Sequence, residues 1–192
     1  MTNLTTTADD ILASARSLII TAGYNGFSYA DIADVVGIRK ASIHHHFPTK
    51  ADLVRILVQQ YITDAEKGLT KLQQTTSSPL EHLRIYLGSW EECIRDASRP
   101  FCVCAMLASE LPVLPDEISR EVTTYFHVLS RWISGVLETG VGEGVFRLID
   151  PPQVEAEAFM ATVHGAMLSA RAYDNPAMFQ SIAGNLLKRI AA

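Results

Sequence analysis

Helical spacing of apolar residues recurs from end to end of the chain, and no window shows the sustained alternation of a half-buried strand. In the first stretch, residues 8–23, Ile11, Ala15 and Leu18 fall on one helical stripe. Proline repeatedly stands where a new helix would begin, a position at which its missing N–H costs least. The sequence therefore predicts an all-α chain without strands.

Capping and stop signals locate the individual helices. Thr7 is expected to cap the first helix and Gly23 to end it. Ser28 and Asp31 have the spacing of a capping box, which predicts a second helix that ends before Gly37. Further helices are predicted to end near Phe47, to run from Thr49 to the polar stretch at 73–78, and to lie at about 79–97, 100–111, 115–140, 152–173 and 176–190.

The charge distribution singles out one short segment. The net charge is −5, but residues 1–50 carry as many basic as acidic side chains, so the excess of acid lies downstream. Residues 39–50 contain three basic side chains, three consecutive histidines and no carboxylate. A basic segment inside an acidic protein indicates contact with a polyanion.

Residues 29–47 have the helix-turn-helix pattern, two short helices joined by a tight turn at Gly37. The second helix of this motif lies in the major groove of DNA. Ile43 and Phe47 are four residues apart and share the inner face, so Lys40 points outward. Cations suit phosphates, and small or polar side chains suit base edges. The residues predicted to contact DNA are Ser28, Tyr29, Arg39, Lys40, Ala41, Ser42, His44, His45, Thr49 and Lys50.

Residues 27–53, FSYADIADVVGIRKASIHHHFPTKADL, resemble the DNA-binding signature of the TetR family of bacterial transcriptional regulators. The resemblance rests on the capping hydroxyl of Ser28, an I-A-x-x-x-G core that ends at Gly37, and a histidine-aromatic run followed by P-T-K at Lys50. His44 stands where the family usually has a tyrosine that contacts a phosphate. That contact is therefore expected to be weaker, pH-dependent or directed at a base.

The resemblance implies a repressor with a DNA-binding domain at residues 1–50 and a ligand-binding and dimerisation domain at residues 51–192. The protein would bind a near-palindromic operator as a homodimer and release it when a small hydrophobic effector enters the second domain. Candidate effector contacts are Trp90, Cys93, Phe101, Cys102, Met106, Phe126, His127, Met160 and His164. The last two helices are expected to pair between protomers through Phe159, Val163, Met167, Ile182, Leu186 and Ile190.

Two other interpretations remain open. The trigger could be modification of Cys102, which falls in the first turn of a predicted helix, where the helix dipole lowers a thiol pKa. Apolar neighbours raise that pKa and favour a ligand pocket instead. Alternatively, the chain is a small helical enzyme or binding protein, although no paired carboxylates, phosphate loop or metal motif supports this.

Cofactors and metals are not expected. Histidines one and two residues apart on a helix point in different directions and cannot chelate one ion. The N-terminus lacks the pattern of a secretory signal, and the longest uncharged stretch is too short to span a membrane. These features predict a cytoplasmic protein, in which the three cysteines are free thiols.

Overall fold

The computed structural model describes residues 6–95 and 101–192. Within these ranges the backbone forms no strand beyond one isolated antiparallel bridge between Phe146 and Ala191. The all-α prediction is confirmed. The elements in chain order are α1 (Thr7–Ala22), α2 (Tyr29–Val36), α3 (Lys40–His46), α4 (Lys50–Thr75), α5 (Pro79–Arg95), α6 (Val103–Ala108), a 3-10 turn (Leu111–Val113), α7 (Asp116–Gly142), α8 (Pro152–Ala172) and α9 (Pro176–Ile190).

Two helix starts differ from the sequence-based expectation. Helix α1 is capped by Thr6 rather than Thr7, because the Thr6 hydroxyl accepts the N–H of Asp9 at 3.3 Å while the Asp9 carboxylate accepts the N–H of Thr6 at 3.0 Å. The helix predicted at 100–111 is shorter, because Cys102 has extended backbone angles and forms the N-cap of α6. The helix end predicted at residue 97 and the helix start predicted at residue 100 lie outside the described ranges.

The chain divides into two compact units. The first comprises the described residues of 1–63 and 100–125, and the second comprises those of 64–99 and 126–192. Helices α4 and α7 contribute to both units. The domain boundary predicted at residue 50 does not coincide with the division between these units, and it stays a prediction.

The core of the first unit lies where α1 packs against α2, α3 and α6. Helices as short as α2 and α3 are not stable alone in water, so the burial of their apolar faces holds them in place. Fully buried side chains in this core include Ile11, Ile19, Ile32, Ile43 and Leu53.

In the second unit, α8 packs along α9, and α5 packs against both. The Ser130 hydroxyl on α7 donates to the Glu157 carboxylate on α8 at 2.5 Å. Phe159 and Phe179 lie in the interior, where they are almost completely buried. No helix in the described ranges combines the length and the apolar character that a membrane crossing requires.

Two glycines of α7 lead to opposite stability predictions. A Cβ atom at Gly140 would overlap the ring of the buried Phe146, whereas no atom outside the helix backbone lies within 4 Å of one at Gly135. Gly140→Ala should lower the free energy of unfolding by about 1–3 kcal/mol through overpacking. Gly135→Ala should raise it by roughly 0.5–1 kcal/mol, because alanine loses less backbone entropy in a helix.

Denaturant unfolding followed by circular dichroism, at one protein concentration, measures both changes. A Gly140→Ala protein as stable as the unsubstituted one would contradict the close packing of Phe146.

Candidate DNA interface and effector site

Helix α2 begins at a reciprocal cap. The Ser28 hydroxyl accepts the N–H of Ala30 at 3.1 Å, and the Asp31 carboxylate accepts the hydroxyl and N–H of Ser28 at 2.8 and 2.7 Å. These hydrogen bonds from the Ser28 hydroxyl and N–H hold the pKa of Asp31 below its usual value. At the other end, Gly37 adopts the left-handed conformation with φ of 75°. The predicted capping box and glycine turn are both confirmed.

Helix α3 has one buried face and one exposed face. Ile43 is fully buried, and Phe47 directly after the helix is 4 % exposed, so the predicted inner face is confirmed. The outer face carries basic, small and polar side chains and no carboxylate. Its exposed members are Lys40, Ala41, His44 and His45, Ser42 is half-buried, and the exposed Arg39 directly precedes the helix.

Tyr29 lies behind this face rather than on it. The side chain is 8 % exposed, and its hydroxyl donates to the carbonyl of Phe47 at 2.9 Å. The ring of His44 contacts the Tyr29 ring edge-on at 4.8 Å. Burial raises the pKa of Tyr29 to about 12. The predicted side-chain contact with DNA is therefore replaced by a structural role, in which Tyr29 joins α2 to the end of α3.

The start of α4 combines an expected cap with an unexpected lysine position. The Thr49 hydroxyl accepts the N–H of Asp52 at 3.0 Å, as a cap should. The Lys50 ammonium donates to the carbonyl of Phe27 and lies 4.0 Å from the centre of the Phe27 ring and 4.7 Å from that of Tyr24. Burial lowers the pKa of Lys50. The sequence predicted that Lys50 contacts DNA, whereas in the structure its ammonium contacts Phe27 and Tyr24 of its own unit.

Three effector candidates, Phe101, Cys102 and Met106, belong to the first unit. Cys102 is fully buried, and its sulfur accepts the N–H of Ala105 at 3.4 Å and donates to the Tyr125 hydroxyl at 3.6 Å. Burial raises the pKa of the neighbouring Cys104 thiol well above its usual value. The three cysteines are free thiols, as predicted, and Cys102 caps α6 instead of lying in its first turn.

The other six effector candidates belong to the second unit, and one of them, His127, is exposed to solvent. His127 is exposed on α7, so the prediction that it lines an interior site is wrong. Trp90, Cys93, Phe126, Met160 and His164 are buried or half-buried. The rings of Phe126 and His164 are 5.2 Å apart.

Three buried nitrogens of the second unit stand out: Nε1 of Trp90, Nε1 of Trp132 and Nε2 of His164. None of them has a hydrogen-bond partner within the part of the chain that the structure describes. Unsatisfied buried polar atoms are uncommon in native interiors and mark positions where a bound molecule could supply the partner. The effector contacts predicted from the sequence include Trp90 but not Trp132, because apolar spacing does not distinguish a tryptophan that lines a pocket from one in the core.

Three of the six predicted dimer residues lie on the inner face of α8, and the other three lie on α9. Phe159, Val163 and Met167 are 2 %, 1 % and 0 % exposed within a single chain, so they pack inside the second unit and cannot meet a partner. Ile190 is also buried, whereas Ile182 and Leu186 are half-buried. The exposed face of α8 carries a different stripe at heptad spacing, formed by Val154, Ala158, Ala161, Gly165, Leu168 and Ala172.

A capped helix, a left-handed glycine turn and a second helix with an exposed, carboxylate-free face define the helix-turn-helix class of DNA-binding proteins. The sequence profile described as "Bacterial regulatory proteins, tetR family" matches residues 11–57. A transcriptional regulator of the TetR family from Agrobacterium tumefaciens is 58 % identical to this chain, and its crystal structure superposes with a TM-score of 0.94 over 96 % of this chain and 97 % of that one.

Two curated relatives are also regulators. The HTH-type transcriptional regulator RutR of Escherichia coli K12 is 29 % identical over 159 residues, which cover 81 % of this chain and 72 % of RutR. The HTH-type transcriptional repressor KstR2 of Mycolicibacterium smegmatis is 26 % identical over 140 residues, which cover 72 % of this chain and 67 % of KstR2. The chain belongs to the TetR family and is a transcriptional regulator.

The environment of His164 predicts a pH-dependent stability. Burial lowers the pKa of this imidazole below its ordinary value of 6.5. The unfolded chain therefore takes up the proton first, and stability that is present above pH 6.5 is lost as the pH falls from there through the lowered pKa. His164→Gln should reduce the drop in melting temperature between about pH 7.5 and 5.5.

The matched control is His127→Gln, which removes an exposed histidine of the same unit and should leave the pH dependence unchanged. Melting curves at both pH values compare the two variants. Equal pH dependence in His164→Gln and the unsubstituted protein would remove His164 as the cause.

Proposed function

We propose that the protein binds a near-palindromic DNA operator as a homodimer, represses transcription there, and releases the operator when a small hydrophobic effector binds. The observation that carries the proposal is the outer face of α3, which presents Arg39 and Lys40 with small and polar side chains but no carboxylate. Such a surface is complementary to phosphates and base edges in the major groove. Repression, rather than activation, is supported by the similarity to KstR2, which is named a repressor.

Within this proposal, the cations have different tasks. Lys40 is exposed, and no carboxylate in the described ranges lies within 4 Å of it, so it is available to a phosphate. Arg39 precedes α3 and can reach either a phosphate or a base edge. Lys50 is already bound to the carbonyl of Phe27, so we assign it to the support of the interface.

A homodimer is proposed because one recognition helix reads too few bases for a specific site, and two-fold symmetry doubles the number. The exposed stripe on α8 that includes Val154, Ala161, Gly165 and Leu168 supports an interface there. Small residues allow two helices to approach closely, and the apolar Val154 and Leu168, 52 % and 51 % exposed, would gain from burial. This stripe replaces the inner residues that the sequence suggested.

An effector site in the second unit is supported by the unsatisfied nitrogens of Trp90, Trp132 and His164. An apolar molecule with hydrogen-bond acceptors could satisfy the indole N–H groups while its body contacts the aromatic rings. The cysteine trigger is not favoured, because Cys102 and Cys104 are fully buried and burial keeps the Cys104 thiol protonated. Native mass spectrometry of freshly purified protein tests for a retained molecule.

The DNA proposal is tested with a duplex that the unsubstituted protein selects from a random pool. Its affinity should fall steeply between about 50 and 200 mM salt, because phosphate contacts release counterions. Lys40→Ala should weaken binding to all sequences and reduce the slope of log affinity against log salt by about one. Arg39→Ala should relax sequence preference at roughly 1–3 kcal/mol if Arg39 reads a base.

The control is Lys67→Ala, which removes an exposed lysine outside residues 1–50. Its affinity for the duplex should be nearly unchanged, because salt screens the charge of a distant lysine. If no duplex is enriched by the unsubstituted protein, the proposed function fails. An unchanged salt slope in Lys40→Ala would remove Lys40 from the phosphate contacts.

The interface proposal is tested with Leu168→Glu, which places a carboxylate on the exposed α8 stripe. A dimer that uses this stripe should dissociate, because the charge would be buried without a partner. Val113→Glu is the matched control, since Val113 is an exposed apolar residue of the first unit at 61 % exposure. Analytical ultracentrifugation should show a monomer only for Leu168→Glu, and an intact Leu168→Glu dimer would place the interface elsewhere.

A further inference from the structure

The side chain of Glu110 contacts the backbone at Tyr24, 86 residues earlier in the sequence. Both of its carboxylate oxygens lie 3.0 Å from the backbone nitrogen of Tyr24, whose N–H they share. The carboxylate also fits closely against Gly23, where an added Cβ atom would overlap it. Glu110 lies between α6 and the 3-10 turn, so a residue of the 101–125 segment holds the backbone directly after α1.

That backbone is the connection between α1 and α2, residues 23–28. Gly23 ends α1 with a φ of 75°, and its N–H donates to the carbonyl of Ile19 at 2.9 Å. Within the connection, the N–H of Gly26 donates to the carbonyl of Gly23 at 3.3 Å. Ser28 then caps α2. The direction in which the chain enters the helix-turn-helix is thus set at Gly23 and Tyr24, where Glu110 acts.

The same connection holds the first residue of α4. The Tyr24 ring lies against the Lys50 ammonium, and the Phe27 carbonyl accepts its hydrogen bond. Burial lowers the pKa of Lys50, and the negative charges of Asp31 and Glu110 oppose that effect. Contacts that begin at Glu110 therefore reach both the entry to α2 and the start of α4, the two ends of the helix-turn-helix.

We infer that Glu110 is a positioning residue for operator binding: its carboxylate fixes the α1–α2 connection and, through Tyr24 and Lys50, the orientation of α2 and α3, without contacting DNA. The inference rests on the proposed DNA-binding function. If the hydrogen bond between Glu110 and the Tyr24 N–H is lost, the helix-turn-helix samples more orientations. The apparent affinity then falls in proportion to the fraction of molecules that remain competent to bind.

Three variants separate this role from others. Glu110→Leu removes the acceptor and leaves the Tyr24 N–H unsatisfied, whereas Glu110→Gln keeps one acceptor oxygen and nearly the same shape. Glu117→Leu is the matched control. Burial raises the pKa of Tyr24, and the negative charge of Glu117 raises it further, so Glu117 lies near Tyr24. The structure shows no hydrogen bond between these two residues. The readouts are affinity for the pool-selected duplex, its salt slope, and hydrogen exchange at the Tyr24 amide.

Glu110→Leu should lower affinity about tenfold, as when one-tenth of the molecules are competent. The salt slope should stay unchanged, in contrast to the loss of about one expected for Lys40→Ala. Exchange at Tyr24 should be faster, Glu110→Gln should restore most of the affinity, and Glu117→Leu should match the unsubstituted protein. Affinities are measured under conditions in which circular dichroism shows that all variants are folded. If Glu110→Leu does not fold, the inference requires that Glu110→Gln lose less than tenfold in affinity and keep the salt slope of the unsubstituted protein.

Wild-type affinity in Glu110→Leu, or a salt slope reduced by one, would overturn the inference. So would unchanged exchange at Tyr24. Failure of the unsubstituted protein to select any duplex would instead refute the proposed function, while the exchange measurement would still show whether Glu110 protects the Tyr24 amide.

Discussion

The burial of one face of α3 is the constraint on which the proposed DNA-binding surface depends. A helix of seven residues has no stability of its own, because the cost of nucleation is spread over too few hydrogen bonds. Ile43 and Phe47 bury its inner side, and the Tyr29 hydroxyl fixes the Phe47 carbonyl at its end. Because packing and this hydrogen bond hold the helix through its inner side, its exposed positions are available for the proposed contact with DNA.

This division explains why residues that resemble DNA contacts in sequence do different things in the fold. Arg39 and Lys40 lie on the free side, whereas Lys50, in the same basic segment, directs its ammonium back to Phe27. A half-buried lysine that keeps a carbonyl partner and two aromatic faces is costly to pull away, because its hydrogen bond and ring contacts must be replaced. The cationic surface proposed to contact DNA is therefore smaller than the sequence suggests, because it includes Arg39 and Lys40 but not Lys50.

Features that depend on a few neighbouring residues could be predicted from the sequence. The cap at Ser28, the turn at Gly37 and the α9 boundaries all follow local rules, and all three are found. The face of α8 that meets its own chain could not be predicted. That helix carries two apolar stripes, one with Phe159 and one with Leu168, and periodicity describes both equally well. Only the packing of α5 and α9 decides which stripe is buried.

The position of Tyr24 shows why long-range positioning contacts are also invisible in a sequence. Its N–H comes directly after the end of α1 and donates not to a carbonyl of that helix but to a carboxylate 86 residues later. Nothing in the local pattern around Glu110 distinguishes it from a solvated surface acid. The contact nevertheless holds the backbone after α1 in one position, because leaving a buried backbone N–H without an acceptor costs free energy. Because α3 is too short to be stable on its own, we expect contacts of this kind to set the orientation of the proposed DNA-binding surface.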